Sequence, residues 1–186
     1  SIATGDSSAE ISLLEGNSGL KVVYYNQGDA AWKSIPYSTS TIGQSGCGPT
    51  SMAICISTLS GKKITPRQTC QWAGSQGYYV KGAGSKHDVI PGLAKKYGVK
   101  CKGVGKNKPQ IIQALKTGKL VVAIMSAGHF TSGGHFIVLT GIKDGKITVA
   151  DCGSRQRTKQ TWSLDLIVNE SNSSASAGGP FWIISK

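Results

Sequence analysis

Apolar positions recur with helical spacing in the first half of the chain and with strand spacing in the second. Behind Gly48-Pro49, the residues Met52, Cys55, Ile56 and Leu59 stand at i, i+3, i+4 and i+7, with Gly61 just past the end, so a helix is expected there. Thr65-Pro66-Arg67-Gln68 has the form of a capping box with proline at the first helical position, opening a second helix. Val89 to Tyr97, closed by Gly98 and with Pro91 in its first turn, reads as a third. Pro109 to Lys116 reads as a fourth. The later pattern is that of strands: Leu120–Met125, His135–Ile142, Lys146–Asp151, Gln160–Ser163 and Phe181–Ser185, with one more, Lys21–Tyr25, ahead of the helices. Helices followed by strands predict an α+β fold with an antiparallel sheet, not an alternating α/β one.

The ends and one interior stretch carry little to bury. Residues 1–20 open with the Ser- and Gly-rich SIATGDSSAE, which predicts a linker or flexible tail before a domain over residues 21–186. ESNSSASAGG, from Glu170 to Gly179, predicts a surface loop before the last strand. The 186 residues suffice for one domain with its own core. The longest apolar run, Leu120–Met125, falls far short of the roughly 20 residues of a membrane-spanning helix, so no span is expected. No signal peptide opens the chain, so any such segment is expected to have been removed or to lie outside it.

Charge changes this picture. Twenty-one Lys and Arg against nine Asp and Glu leave +12, which favours a polyanionic partner: nucleic acid, an acidic membrane surface or an anionic cell wall. Eight lysines crowd the stretch Lys95–Lys119 with few aromatics between them, which disfavours a base-stacking platform, and nucleic acid is not expected. No P-loop, G-x-G-x-x-G or H-E-x-x-H string is present, and no cofactor is implied. The five cysteines contain no C-x-x-C pair, and their odd number leaves at least one thiol unpaired within the chain. Cys55, Cys70 and Cys101 read as small buried apolar residues.

Cys47 is different. It lies in Gly43-Gln44-Ser45-Gly46-Cys47-Gly48-Pro49-Thr50, at the mouth of a helix that Gly48 and Pro49 begin abruptly. A helix N-terminus presents unpaired N–H groups and partial positive charge, which favour a thiolate and an oxyanion. Gly46 beside it clears space for substrate. A thiol nucleophile needs a base, and there are three histidines. His87 reads as a solvated residue near a helix start, and His129 sits in a polar turn. His135 opens the strongest strand, behind Gly133-Gly134, where backbone can approach closely, and is the preferred base. The orienting group is sought by register. A two-residue turn at Asp144-Gly145 would place Asp151 opposite Val138, on the wrong face. A three-residue loop with Gly145 left-handed places it opposite Ile137, on the face of His135, and K-D-G suits that loop. Asp151 is then the orienter of the His135 imidazole. For the oxyanion, the Cys47 N–H would be joined by a side-chain amide from either Gln27 or Gln44. A metal held by His135, Asp151 and Cys152 would occupy the proposed base, so none is expected.

The strings YYNQGDAAWKSIPY, TIGQSGCGPTSMA, GHFTSGGHFIVLTG, ITVADCGS and SRQRTKQTWSLDLI resemble the papain-like cysteine peptidases, over roughly residues 22–186. The likeness is greatest to the bacterial branch similar to the bacteriocin-processing, double-glycine leader peptidases. The resemblance implies a papain-like fold, a helical part packed on an antiparallel sheet. It implies catalysis by Cys47, His135 and Asp151, and it favours Gln27 over Gln44. Gly46 and Gly134 are the expected substrate-binding glycines. Members of this kind occur as modules of secreted cell-wall hydrolases. The resemblance thus implies an extracellular, monomeric enzyme acting on peptidoglycan peptides and adsorbing to anionic wall polymers. Amidase or transpeptidase chemistry on the same triad, and a non-catalytic wall-binding fold, are the alternative readings.

Overall fold

The computed structural model describes residues 20–186 in full, and before them the backbone of Ala3–Thr4 and Ile11–Glu15. The expected linker over residues 1–20 therefore lies mostly outside the described residues. The two stretches described there are strands β1 (Ala3–Thr4) and β2 (Ile11–Glu15), which pair antiparallel. β2 in turn pairs with β3 (Lys21–Tyr24). A small hairpin, β4 (Pro36–Tyr37) and β5 (Ser40–Thr41), leads into α1 (Ile42–Ser45), α2 (Cys47–Ser60) and α3 (Pro66–Ser75). A second hairpin, β6 (Tyr79–Val80) and β7 (Gly84–Ser85), precedes α4 (Val89–Tyr97), β8 (Lys100–Gly103) and α5 (Lys108–Lys116). The rest of the chain is β9 (Leu120–Met125), β10 (His135–Lys143), β11 (Lys146–Ala150), α6 (Arg155–Thr158), β12 (Thr161–Trp162), α7 (Leu164–Glu170) and β13 (Phe181–Ser185).

The local signals act as their chemistry requires. Gly61, left-handed at φ 72°, ends α2, and Gly98 at φ 75° ends α4. The Thr65 hydroxyl and the Gln68 side chain cap each other's backbone N–H at the start of α3. α2 is buried on nearly every side, including Thr50, Ser51 and Ser57, so it is a central helix and not a one-faced surface helix. Ser57 Oγ accepts from the Ile64 N–H and donates to its carbonyl, at 3.0 and 2.8 Å, which satisfies it in that interior.

The main sheet has six antiparallel strands in the order β12-β11-β10-β9-β13-β8. Each of the six residues of β9 is buried, and their alternation serves two cores. Leu120, Val122 and Ile124 join the core containing α2 and α4. Val121, Ala123 and Met125 join a second core with Ile111 and Leu115 of α5 and Ile167 of α7. The helical N-terminal part therefore packs on one sheet face, as expected, and the other face is covered by two later helices.

Several elements were not foreseen, among them the hairpins β4–β5 and β6–β7, the short helices α1 and α6, β8 and α7. β8 is a short edge strand, half-polar in composition, and its pairing with β13 is a tertiary event. α7 carries a cap that was legible, since the Ser163 hydroxyl accepts from the Leu166 N–H at 3.3 Å. The loop after β10 corrects the expected turn. Lys143 pairs with Lys146, and Asp144 and Gly145 both have positive φ, 52° and 77°, so this is a two-residue type I′ hairpin. The consequence expected of that turn does not hold, because a bulge at Thr140 shifts the register: Gly141 faces Thr148, but Leu139 faces Val149 and Val138 faces Ala150. One step on, Asp151 comes opposite Ile137, on the His135 face.

Candidate active site

Cys47 is the first residue of α2 and His135 the first of β10. Gly48 lets these two starts meet: a Cβ there would lie 3.2 Å from the Phe136 ring. The Ser51 hydroxyl, one turn on, reaches the Phe136 carbonyl at 3.4 Å. Helix start and strand start are thus packed closely together, and the thiol and imidazole are carried on rigid elements.

His135 Nε2 is bonded to Asp151 Oδ1 at 2.7 Å, which leaves Nδ1 for Cys47. Asp151 is fully removed from water. Its carboxylate accepts three times: from His135, from the Gly153 N–H at 2.8 Å and from Arg157 Nε at 2.6 Å on Oδ2. The backbone of Asp151 is held as well, its N–H by the Thr158 hydroxyl and its carbonyl by the Tyr24 hydroxyl. Gly153 has a second duty. A Cβ there would stand 3.0 Å from His135 Cε1, so any side chain at 153 would press the ring out of its place by a few tenths of an ångström. Arg157 lies on the one-turn helix α6, capped by Ser154. Nothing in the spacing of the chain announces it, since an arginine six residues past an aspartate has no signature of its own.

Burial raises the Cys47 thiol pKa, but the bond and charge of His135 and the N–H groups of Phe136 and Gly48 overcome it and hold the thiol below its ordinary range. Burial also disfavours the charged imidazole, yet Asp151 and Cys47 together lift His135 to about 10. Asp151, pushed up by burial, is brought lower on balance by His135, Arg157 and Gly153. Both shifts favour a thiolate beside an imidazolium. The other cysteines are held as thiols: burial raises Cys55, Cys70 and Cys152, and lifts Cys101 to about 11.

Gln27 and Gln44 flank this pair differently. Gln27 is buried after β3, and its Nε2 donates to the Ile42 and Gly43 carbonyls at 3.2 and 3.1 Å. Its Oε1 accepts from the Cys152 thiol at 3.3 Å. Gln44 is exposed, with Oε1 accepting from the Ser40 hydroxyl. Gly134 lines a cleft of about 640 Å³ with Cys47, His135, Gln44, Tyr79 and Gly84. Gly46 does not open space in this way: it is buried, and a Cβ would lie 2.7 Å from the Ile42 carbonyl oxygen, so it is a packing glycine. His87 is no solvated cap either. It is half-buried, lines the same cleft, packs edge-on to Phe136 and Trp182, and accepts from the Ser176 N–H at 3.1 Å. His129 stands apart, paired with Glu170 at 2.6 Å.

The model of the Peptidase_C39 like family matches residues 19–177. The chain belongs to this family. It is accordingly a hydrolase of the cysteine-peptidase type. Among solved structures, the chain is similar to one described as a C39-like peptidase from Bacillus anthracis, at 16% identity and a TM-score of 0.53, covering 95% of this chain and 98% of that one. It is also similar to the peptidase domain of Streptococcus ComA, a bi-functional ABC transporter involved in a quorum sensing pathway. That match has 13% identity and a TM-score of 0.54 and covers 76% of this chain and 92% of that domain. At these identities the likeness is one of fold. No curated protein matches the sequence.

Two outcomes are expected of this C39-like peptidase. Iodoacetamide at pH 6–7 should alkylate Cys47 well ahead of Cys55, Cys70, Cys101 and Cys152, as read by peptide mass mapping; equal rates would contradict a lowered thiol pKa. Gly153→Ala should displace the His135 ring and slow peptide hydrolysis on the order of a hundredfold, while circular dichroism stays unchanged.

Proposed function

We propose that this peptidase hydrolyses peptide bonds through a Cys47-His135-Asp151 triad, with a thioacyl-enzyme intermediate, and that its substrates are peptides of the bacterial cell wall. The observation that carries the catalytic reading is the Nε2–Oδ1 bond of 2.7 Å to a carboxylate wholly buried, which leaves His135 Nδ1 to the thiol at a helix N-terminus. In this mechanism the Cys47 thiolate attacks the carbonyl carbon. The oxyanion forms at the start of α2, where the Cys47 N–H is available to it. Gln27 is the second donor, one of its amide hydrogens passing from the Ile42 or Gly43 carbonyl to the oxyanion. The imidazolium then gives its proton to the leaving amine as the C–N bond breaks, and the acyl group remains as a thioester. Water, deprotonated by the now neutral His135, attacks that carbonyl, and the acid leaves with Cys47 restored. Asp151 holds the ring orientation throughout and offsets its charge, and Arg157 is a positioning residue that fixes Asp151.

The wall reading draws on charge. A chain of +12 is attracted to anionic wall polymers, and part of that charge is organised away from the thiol. Lys100 and Lys102 of the edge strand and Lys119 line a groove of about 360 Å³ with Gln110 and Gln113. We place the enzyme outside the cell, where such polymers are met.

Purified peptidoglycan digested with the wild type should yield new amino termini at stem-peptide bonds, by product mass, and Cys47→Ala should yield none. Release of intact stem peptides would mark an amidase and joined products a transpeptidase; unchanged turnover by Cys47→Ala would sink the triad. Adsorption to whole walls should fall steeply in about 0.5 M salt, and binding undiminished there would remove the charge from the account.

A further inference from the structure

The triad reading, on which this inference rests, divides the site into two sides. The acyl half of a substrate stays on Cys47. The leaving half takes its proton from His135 and departs. The cleft that contains Cys47 therefore holds the acyl side. A second cleft, of about 390 Å³, is lined by His135 without Cys47, together with Gln27, Ser132, Gly153 and Arg157. The two clefts share His135, so a substrate spanning the thiol and the imidazole has this second cleft beyond it.

Arg157 is the one permanently charged side chain on that second cleft. Its Nε is fixed by Asp151 Oδ2 at 2.6 Å, while its side chain keeps 27% of its exposure. Among the described residues, its terminal Nη groups have no protein acceptor. The nearest carboxylate, Asp151, is fully buried behind it and already accepts three bonds. Apart from His135, the other linings that can bond are neutral, among them Thr131, Ser132 and Gln27. A planar fork held at one edge presents its other donors in a fixed direction, the geometry that suits a carboxylate. The Cys47–His135 pair, wherever its proton lies, and the Asp151–Arg157 pair each sum to no net charge, so an incoming anion meets no net repulsion from them.

We propose that Arg157 makes the leaving-side cleft selective for a carboxylate, so that the preferred substrates are peptides bearing a carboxylate just beyond the scissile bond. A free C-terminal carboxylate and an acidic side chain share this chemistry. Arg157 thereby has two roles, positioning Asp151 through Nε and binding substrate through its Nη groups. No new covalent step is involved.

The test uses pooled peptides randomised on the acyl side, with leaving segments in matched pairs: free acid against C-terminal amide, and Asp or Glu against Asn or Gln. The wild type is expected to show kcat/KM about tenfold or more higher for the carboxylate member of at least one pair type, and which type responds identifies the source. Arg157→Gln should bring that ratio close to one, and Arg157→Lys should leave an intermediate ratio. Because each ratio is taken within one protein, a general loss of activity cancels. A wild-type ratio of one or below overturns the proposal without recourse to any variant. A ratio unchanged in Arg157→Gln overturns the assignment to Arg157. Cleavage that persists in Cys47→Ala overturns the triad reading and this inference together. With Cys47→Ala inactive, cleavage without preference overturns the inference alone. Cleavage of neither set counts against both.

Discussion

A carboxylate sealed from water must be compensated by bonds, and Asp151 is the point from which the rest of this site is arranged. Burying an ionised group without partners costs far more than a domain can supply, so the fold surrounds Asp151 with the His135 ring, the Gly153 amide and the Arg157 guanidinium. Breaking such a buried pair by removing one partner typically costs about 3–5 kcal/mol. The requirement accounts for much that is otherwise arbitrary: the tight turn at Gly153, the capped single turn of α6, and the Tyr24 and Thr158 hydroxyls that clamp the Asp151 backbone. Arg157 also leaves Asp151 and itself neutral as a pair, so Cys47 and His135 have no excess of negative charge behind them.

The second constraint is proximity. A helix N-terminus and a strand N-terminus are brought together closely enough that Gly48 touches the Phe136 ring. Small residues are the means by which two pieces of backbone carrying the reactive groups come into contact, and the same economy recurs where Gly153 admits the imidazole. The result is electrostatic selectivity among five thiols. One sits at a helix N-terminus beside the His135 ring and backbone N–H donors, and its pKa falls. The others meet mainly burial, and theirs rise. Cys152 shows how local this is: it comes directly after Asp151, yet its thiol serves Gln27 and the interior and takes no part in the reactive pair.

Much of this was legible along the chain because it rests on local chemistry. Helix starts and stops at Thr65, Gly61 and Gly98, the apolar strand β10 and the helix mouth at Cys47 each depend on a few neighbouring residues. The order of helices and strands sufficed for an antiparallel α+β fold. By itself, then, the sequence determined the elements and the residue types able to do thiol chemistry.

What only the tertiary structure decided are the distances and the register. The K-D-G turn is two residues long, and that alone would have turned Asp151 away from His135; the bulge at Thr140 reverses it. A bulge leaves no clear trace in composition because it is settled by packing on both faces of the strand. The place of Gly46, the half-buried His87, the edge strand β8 and above all Arg157 were likewise decided by contacts between segments distant in the chain. Spacing constrains residues three or four apart on a helix or two apart on a strand. It does not say which guanidinium a buried carboxylate will draw to itself, because that choice is made by desolvation once the interior has closed.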